Sequence, residues 1–255
     1  MWFMKVVINA DDFGCSVTIN EAIRTLLNSR KITSATIMVN GPAFQDAASC
    51  VRNYSTCSFG VHLNLTSFQS LTNSQVFHDA GIVNEAGVFK GNLRSIHPSI
   101  PLAGAIEREW VEQITMALDY NLPVSHLDSH HHVHTIPWLF IPLKRVQKKF
   151  GIRKVRATMN WYDRNEPLPS GLLLFAKIVW NWSLKHIYAT KITDYFTSFQ
   201  CFFSDVGYGE KRARGVVELM CHPGHPLSSV ETDLLQSNWP QMLPFKTELI
   251  SYNNL

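Results

Sequence analysis

Four groups of side chains in this chain are of the kind that hold a metal ion or move a proton: Asp11 and Asp12, His62, the segment His126–His134, and His222. Two adjacent carboxylates repel, which favours a shared proton or a cation between them. The plainer alternative is one aspartate capping the next helix and the other solvated. The run His126-Leu127-Asp128-Ser129-His130-His131-His132-Val133-His134 places five histidines around one aspartate. Neutral imidazole is a common ligand of transition metals, so two or three of these beside Asp128 suit Zn²⁺, Mn²⁺ or a similar divalent ion. Only that many can face one ion, and the spacing leaves open which do. His62 shares one strand face with Asn64 and Thr66. Alone it reads as structural; beside Asp12 and the histidine block it reads as a ligand. His222 precedes Pro223-Gly224, a rigid turn. It is either a turn histidine or a general acid working near neutral pH. His78, His97 and His186 lack such neighbours and read as structural.

These groups lie far apart along the chain, so a scaffold must gather them. Strand-like and helix-like stretches alternate from the start, the pattern of βα units on a parallel sheet. Met4–Asn9 reads as a strand, with a capping box at Thr18-Ile19-Asn20-Glu21 opening a helix to about Ser29. Ser34–Asn40 and Phe59–Leu65 read as the next strands, with a helical stretch to about Val51 between them. Residues 66–102 carry turn signals without a period and read as an excursion that shapes a substrate groove. A helix over Ala103–Tyr120, a strand at Pro123–Leu127 and a helix opened by Pro137 follow. A strand near Lys154–Thr158, an apolar helix at 171–184 and a strand at Gly215–Met220 complete the series. Each candidate group sits where a strand ends, the edge at which parallel barrels build active sites. Neighbouring residues of a strand face opposite ways, so Asp11 and Asp12 reach one site only where the strand gives way, as Phe13-Gly14 allows.

Composition narrows the function class. With 255 residues, 45% hydrophobic and 17% charged, the chain is expected to form one domain over 1–255. Net charge is +3, and the basic run from Lys144 through Arg145, Lys148, Lys149, Arg153 and Lys154 to Arg156 is too thin to imply nucleic acid. Five cysteines form no CxxC pair, which points to a reducing cytoplasm, and the N-terminal residues leave no room for a signal peptide. The apolar stretch 171–184 falls short of the roughly 20 residues needed for a transmembrane segment and reads as a buried or interface helix. The aromatic series Trp180, Trp182, Tyr188, Tyr195, Phe196, Phe199, Phe202 and Phe203 offers a sugar groove or a homodimer contact, with core packing explaining most of it. No GxSxG, P-loop or GxGxxG motif is present.

The motifs N-A-D-D-F-G (9–14), T-S-A-T-I-M-V-N (33–40), G-V-H-L-N-L-T (60–66), H-L-D-S-H-H-H-V-H (126–134) and E-L-M-C-H-P-G (218–224) together resemble the YdjC-like carbohydrate deacetylases, the group that includes chitooligosaccharide deacetylase. The resemblance runs through most of the chain and is weakest over 66–102 and 159–212. It implies a distorted, TIM-like (β/α) barrel related to the polysaccharide deacetylases, and hydrolysis of the N-acetyl group of an amino sugar. It further implies one divalent ion on Asp12, His62 and His130, with Asp11 as general base and His222 as acid on the opposite side. His126, Asp128 and His132 would then orient the ligands or face substrate. Mg²⁺ is the family's usual ion, whereas the two-histidine set suits Zn²⁺ or another transition ion. Two rivals remain at this stage: a hydrolase of the same architecture acting on another amide or ester bond, and a metal- or sugar-binding protein without activity.

Overall fold

The computed structural model describes residues 3–163, 165, 167–205 and 215–255. In chain order its elements are β1 (Phe3–Phe13), α1 (Val17–Asn28), β2 (Ser34–Ile37), α2 (Phe44–Cys50), β3 (Ser58–Leu63), α3 (Gln75–Asp79), α4 (Ile100–Asp119), β4 (Val124–Ser129), α5 (Phe140–Phe150), α6 (Gly171–His186), β5 (Tyr195–Ser198), α7 (Phe199–Asp205), β6 (Val216–Cys221), α8 (Ser229–Gln236) and β7 (Lys246–Leu249). The strands form a parallel sheet in the order β4-β3-β2-β1-β6-β5. β7 pairs with Phe3–Val6 of β1, and β2 takes the same edge further on, from Asn9 to Phe13. β2 and β3 are buried along their whole length, as expected of strands covered on both faces.

The expected strand at Lys154–Thr158 is reduced to isolated bridges, Leu127 to Val155 and Lys154 to Lys191. Those bridges, with Asn160 N donating to Phe196 O, link the β4 and β5 edges of the sheet. The result is a distorted (β/α) barrel, closed irregularly where Arg156 enters.

Helix starts depart from the sequence expectation in a common way. Ser16, not Thr18, caps α1, its hydroxyl accepting from Ile19 N, and Ser99 caps α4 by accepting from Leu102 N. In both cases the capping serine lies just ahead of the first apolar residue of the buried stripe. Pro137 opens a short 3-10 turn rather than the α5 helix itself. The basic run also dissolves on folding: Lys144 and Arg156 are buried, and Lys154 donates to Tyr252 O.

The 66–102 excursion has its own packing. Phe77, Ile82, Val83, Phe89 and Leu93 join the main core. Glu109, on the buried stripe of α4, accepts from Ser70 Oγ, Leu71 N, Thr72 N and Thr72 Oγ1 at 2.7–3.0 Å. Gln113, one turn on, bonds both the N–H and the carbonyl of Asn64. Glu109→Ala strands several buried donors at once. It is expected to cost about 3 kcal/mol, a fall of roughly 6–12 °C in the melting midpoint by calorimetry. A change under about 1 °C would contradict the anchoring role.

Among the described residues, no helix is long and apolar enough to cross a membrane.

Candidate metal centre

The C-terminal ends of β1, β3, β4 and β6 carry Asp11 and Asp12, His62, Asp128 and then His130, and His222. The break in β1 falls on the aspartates themselves, ahead of Phe13-Gly14. The pairing with β2 slips between Ala10 and Phe13, and Asp12 takes a left-handed backbone with φ 66°. That bulge turns both carboxylates to one side of the sheet edge. Gly14, at φ 100°, continues the turn where a Cβ would lie 2.9 Å from Met38 O.

Asp12, His62 and His130 offer one ligand atom each, all within 4.8 Å of one another. Asp12 Oδ1 lies 3.3 Å from His62 Nε2 and 2.9 Å from His130 Nδ1. It is buried, yet neither contact has the directionality of a hydrogen bond, so the oxygen is left without a donor. A cation among the three would satisfy it. His62 is held from its other side: Nδ1 is 2.7 Å from Asp128 Oδ1 and 3.2 Å from Thr36 Oγ1. This is the carboxylate–imidazole arrangement that fixes a ligand ring and leaves Nε2 toward the ion.

The charges point the same way. Four buried carboxylates, on Asp11, Asp12, Asp128 and Glu218, lie in this region, and among the described residues one buried guanidinium, Arg156, contacts three of them, Asp11, Asp128 and Glu218. Burial works against a charge on His62, but Asp128, Asp12 and Asp11 outweigh it and push the imidazole up to about 10. Burial likewise opposes ionisation of Asp12, yet His130 and His62 hold it far below the usual carboxylate range. The cluster gathers positive charge, by a proton or by an ion, and these donors fit a divalent ion.

Asp11 does not join the three. Its Oδ2 accepts from Arg156 Nη1 at 2.6 Å and its Oδ1 from Nη2 at 2.7 Å, with Asn9 Nδ2 at 2.9 Å on Oδ1. Burial opposes its charge, but Arg156, aided by His62 and His222, keeps the carboxyl ionised well below the ordinary range. Arg156 also reaches Asp128 Oδ2 at 2.8 Å and Glu218 Oε1 at 2.7 Å, so one side chain ties three strand ends together. Tyr252 OH donates to the other Glu218 oxygen. Burial, partly offset by Arg156, raises the Glu218 carboxyl to about 7.

The remaining histidines separate by their surroundings. His126 is fully buried, stacked on Tyr252 at 3.7 Å, with Nε2 3.3 Å from Asn9 Oδ1. It therefore backs the Asn9–Asp11 contact from within the core, the first of the two roles the resemblance implies for it. Its ring lies where any Cβ on Gly60 would be, at 2.7 Å, which is why a glycine stands there. His134 is locked between Ser129 Oγ and Arg156 O. His131 and His132 adopt left-handed backbone, φ 52° and 54°, and Arg94 Nη2 donates to both of their carbonyls. That turn sends His130 inward and His132 into a neighbouring cleft of 280 Å³, where its buried Nδ1 has no partner. Burial and Arg156 press the His132 imidazole down to about 3, so it is neutral. His222 is half-buried, its backbone N–H donating to Glu231 Oε1, and its ring lies within electrostatic reach of Asp11 and His132.

A family model described as YdjC-like protein matches residues 5–247. The chain belongs to the YdjC-like family. Relatives include a protein of Geobacillus stearothermophilus named carbohydrate deacetylase, 30% identical over 88% of this chain and 82% of its own length. A second of that name, from Halalkalibacterium halodurans, is 28% identical over 87% and 86%. The fold is shared with a crystal structure from Enterococcus faecalis V583, described as a candidate cellobiose-phosphate cleavage protein. The TM-score is 0.72 at 20% identity, over 98% of both chains.

Two groups central to this YdjC-like site went unrecognised in the sequence, Arg156 and Glu218. Arg156 looked like part of a basic surface run. Glu218 had a signal that passes easily unnoticed: a lone acid inside the apolar run Val216-Val217-Glu218-Leu219-Met220, where a charge needs a buried partner.

Proposed function

We propose that this chain is a divalent-metal-dependent carbohydrate deacetylase, hydrolysing the N-acetyl amide of an amino sugar or oligosaccharide to acetate and a free amine. The observation that carries this reading is the convergence of Asp12, His62 and His130, with an unsatisfied Asp12 oxygen among them, beside a separately clamped and ionised Asp11. The names of the relatives support the same activity.

Asp12, His62 and His130 hold the ion. When bound, it supplies Lewis-acid polarisation of the acetyl carbonyl and stabilises negative charge on its oxygen. Asp11 draws the proton from the attacking water. Oδ1 already accepts from Asn9 and Arg156, while Oδ2 accepts only from Arg156, so the spare lone pair for that proton is on Oδ2. Arg156 keeps the carboxylate ionised and fixes its plane. His222, protonated, gives a proton to the departing amine, a poor leaving group without one. His132, neutral, lines the cleft beside the centre and shapes the space open to the sugar. Two imidazoles and one carboxylate form a borderline donor set that favours Zn²⁺ or Mn²⁺ over Mg²⁺.

The test is acetate release from N-acetylglucosamine oligomers. Chelation is expected to lower it at least about hundredfold, and a divalent ion to restore it. Calorimetry of Zn²⁺ uptake at pH 8 is expected to release about one proton, since His62, raised to about 10, must lose its proton to ligate. Unchanged turnover after chelation, with the ion shown to be gone, would overturn the proposal.

A further inference from the structure

The turn that follows β6 is held by a buried acid with no part in the mechanism proposed above. Glu231 stands in the first turn of α8, 9% exposed, and its Oε1 accepts from the His222 backbone N–H at 3.1 Å. Burial raises its carboxyl to about 7, the His222 N–H works the other way, and Asp11 adds to the rise; no Lys or Arg is among the groups that act on it. An acid is rarely kept inside without a cation, because its burial is costly.

The ordinary use of a glutamate at this position is not the one found. Ser228-Ser229-Val230-Glu231 is the pattern of a capping box, in which the glutamate bonds the backbone N–H of the capping serine three residues before it. Here Ser228 N donates to His225 O, the Ser228 side chain makes no capping bond, and Glu231 reaches back to His222 in a different segment.

The rest of the turn is tied down as well. His225 N donates to His222 O at 3.2 Å. Gly224 has φ 78°, and a Cβ there would lie 2.9 Å from Ala22 Cβ and 3.0 Å from Thr18 O, so the turn is pressed on α1. The chain leaving β6 is thus pinned by α1 at Gly224 and by α8 through Glu231. Half-buried His222, within electrostatic reach of Asp11, lies between the strand and those two points. An imidazole stands on a Cβ whose direction the backbone sets, so a tilt of the His222 peptide swings both ring nitrogens. A misplacement of about 1 Å in a group that must meet the reacting atoms can cost about a hundredfold in rate.

We propose that Glu231 is a positioning residue for the acid step: by accepting from the His222 N–H it fixes how the chain leaves β6, and with it where the imidazole stands to give its proton to the amine nitrogen as the C–N bond breaks. This rests on the deacetylase reading above, in which His222 is the acid. The hydrogen bond needs an acceptor and not a charge, and an amide oxygen serves as well as a carboxylate oxygen.

The experiment compares the wild type with Glu231→Met, which keeps the volume and removes the acceptor, and Glu231→Gln, which keeps an acceptor without the charge. His222→Asn and the double variant Glu231→Met/His222→Asn complete a cycle. Acetate release from N-acetylglucosamine oligomers, with a divalent ion present, gives kcat and KM. Hydrogen exchange of the His222 amide, read by NMR on protein made with isotope-labelled histidine, reports the bond without any turnover. Glu231→Met is expected to exchange that amide at least about tenfold faster. It is expected to lower kcat at least about tenfold with KM within about twofold of the wild type. Glu231→Gln is expected within about threefold of the wild type in both readouts. The double variant is expected within about twofold of His222→Asn, because Glu231 acts only through that ring.

A nearly unchanged kcat in Glu231→Met overturns the positioning role. So does a Glu231→Gln as slow as Glu231→Met, or losses that multiply in the double variant. Glu231→Ala takes the place of Glu231→Met if the latter does not fold. An unimpaired His222→Asn removes the acid step and this proposal with it. A wild type that releases no acetate is a failure of the deacetylase reading itself, and the amide exchange then decides alone whether Glu231 holds the turn.

Discussion

Asp11→Asn is expected to lower kcat for acetate release by about 10³- to 10⁴-fold while divalent-ion binding stays within about twofold of the parent. The separation follows from geometry. The atoms that could hold an ion together are on Asp12, His62 and His130, while Asp11 is turned to Arg156 and Asn9. An amide in place of the carboxylate cannot take a proton from water. Its NH₂ group also faces a donor whichever oxygen it replaces, Arg156 Nη1 at Oδ2 or Arg156 Nη2 and Asn9 Nδ2 at Oδ1. A stability loss of about 1–3 kcal/mol therefore accompanies the kinetic loss, and a melt separates the two. Single-turnover acetate release with metal occupancy measured on the same sample is the decisive assay. A loss under about tenfold would remove Asp11 from the role of base, and joint loss of the ion would make it a ligand.

Arg156→Met should produce the largest structural effect of any single substitution near the site. Arg156 is wholly buried and is the one described cation that contacts Asp11, Asp128 and Glu218, at 2.6–2.8 Å. Removing it leaves Asp11 and Glu218 without a contacting counter-charge in a dry interior and Asp128 with His62 alone, which costs about 3–5 kcal/mol. For a chain of this size that corresponds to a fall of roughly 6–20 °C in the melting midpoint. Glu218 would relieve part of the strain by taking up a proton, because its carboxyl already sits near about 7. Activity should fall at least about hundredfold, since Asp11 loses both its orientation and its ionising partner. Arg156→Lys restores the charge but not the planar fork that reaches three acceptors. Its midpoint is expected between those of the parent and Arg156→Met, with activity still far below the parent. A melting midpoint unchanged in Arg156→Met would show that the ion cluster is not what holds these strand ends together.

Much of the site's address was legible because the relevant signals are local. A short apolar strand ending in polar residues marks the edge where a parallel sheet meets its loops. Asp11, Asp12, His62, His130 and His222 each carried that mark; Asp12, His62 and His130 bring ligand-type atoms together, and Asp11 lies with His62 and Asp128 in an adjoining group. The alternation of strands and helices likewise announced a parallel α/β architecture. At the α1 cap the deciding bond is local, Ser16 rather than Thr18 accepting from Ile19 N, whereas for the strand expected at Lys154–Thr158 the deciding interactions lay outside the segment. The latter is held only by single bridges to Leu127 and Lys191.

The chain's pattern by itself thus determined the architecture, the kind of chemistry, and the strand ends from which the donors come, because period and residue type act over a few neighbouring positions. Tertiary structure alone decided which histidine of the 126–134 block joins Asp12 and His62, what keeps Asp11 ionised, and which side of α6 is left bare. Of the helix read as buried or interface at 171–184, only Trp180 and Leu184 are buried. His130 rather than His132 turns inward because the backbone is left-handed at His131 and His132 and Arg94, 37 residues away, holds their carbonyls. Asp11 stays charged because Arg156, 145 residues on, enters where the barrel closes irregularly. An electrostatic partner acts through space at 3 Å, whatever its distance along the chain, and no local period encodes where such a partner will arrive.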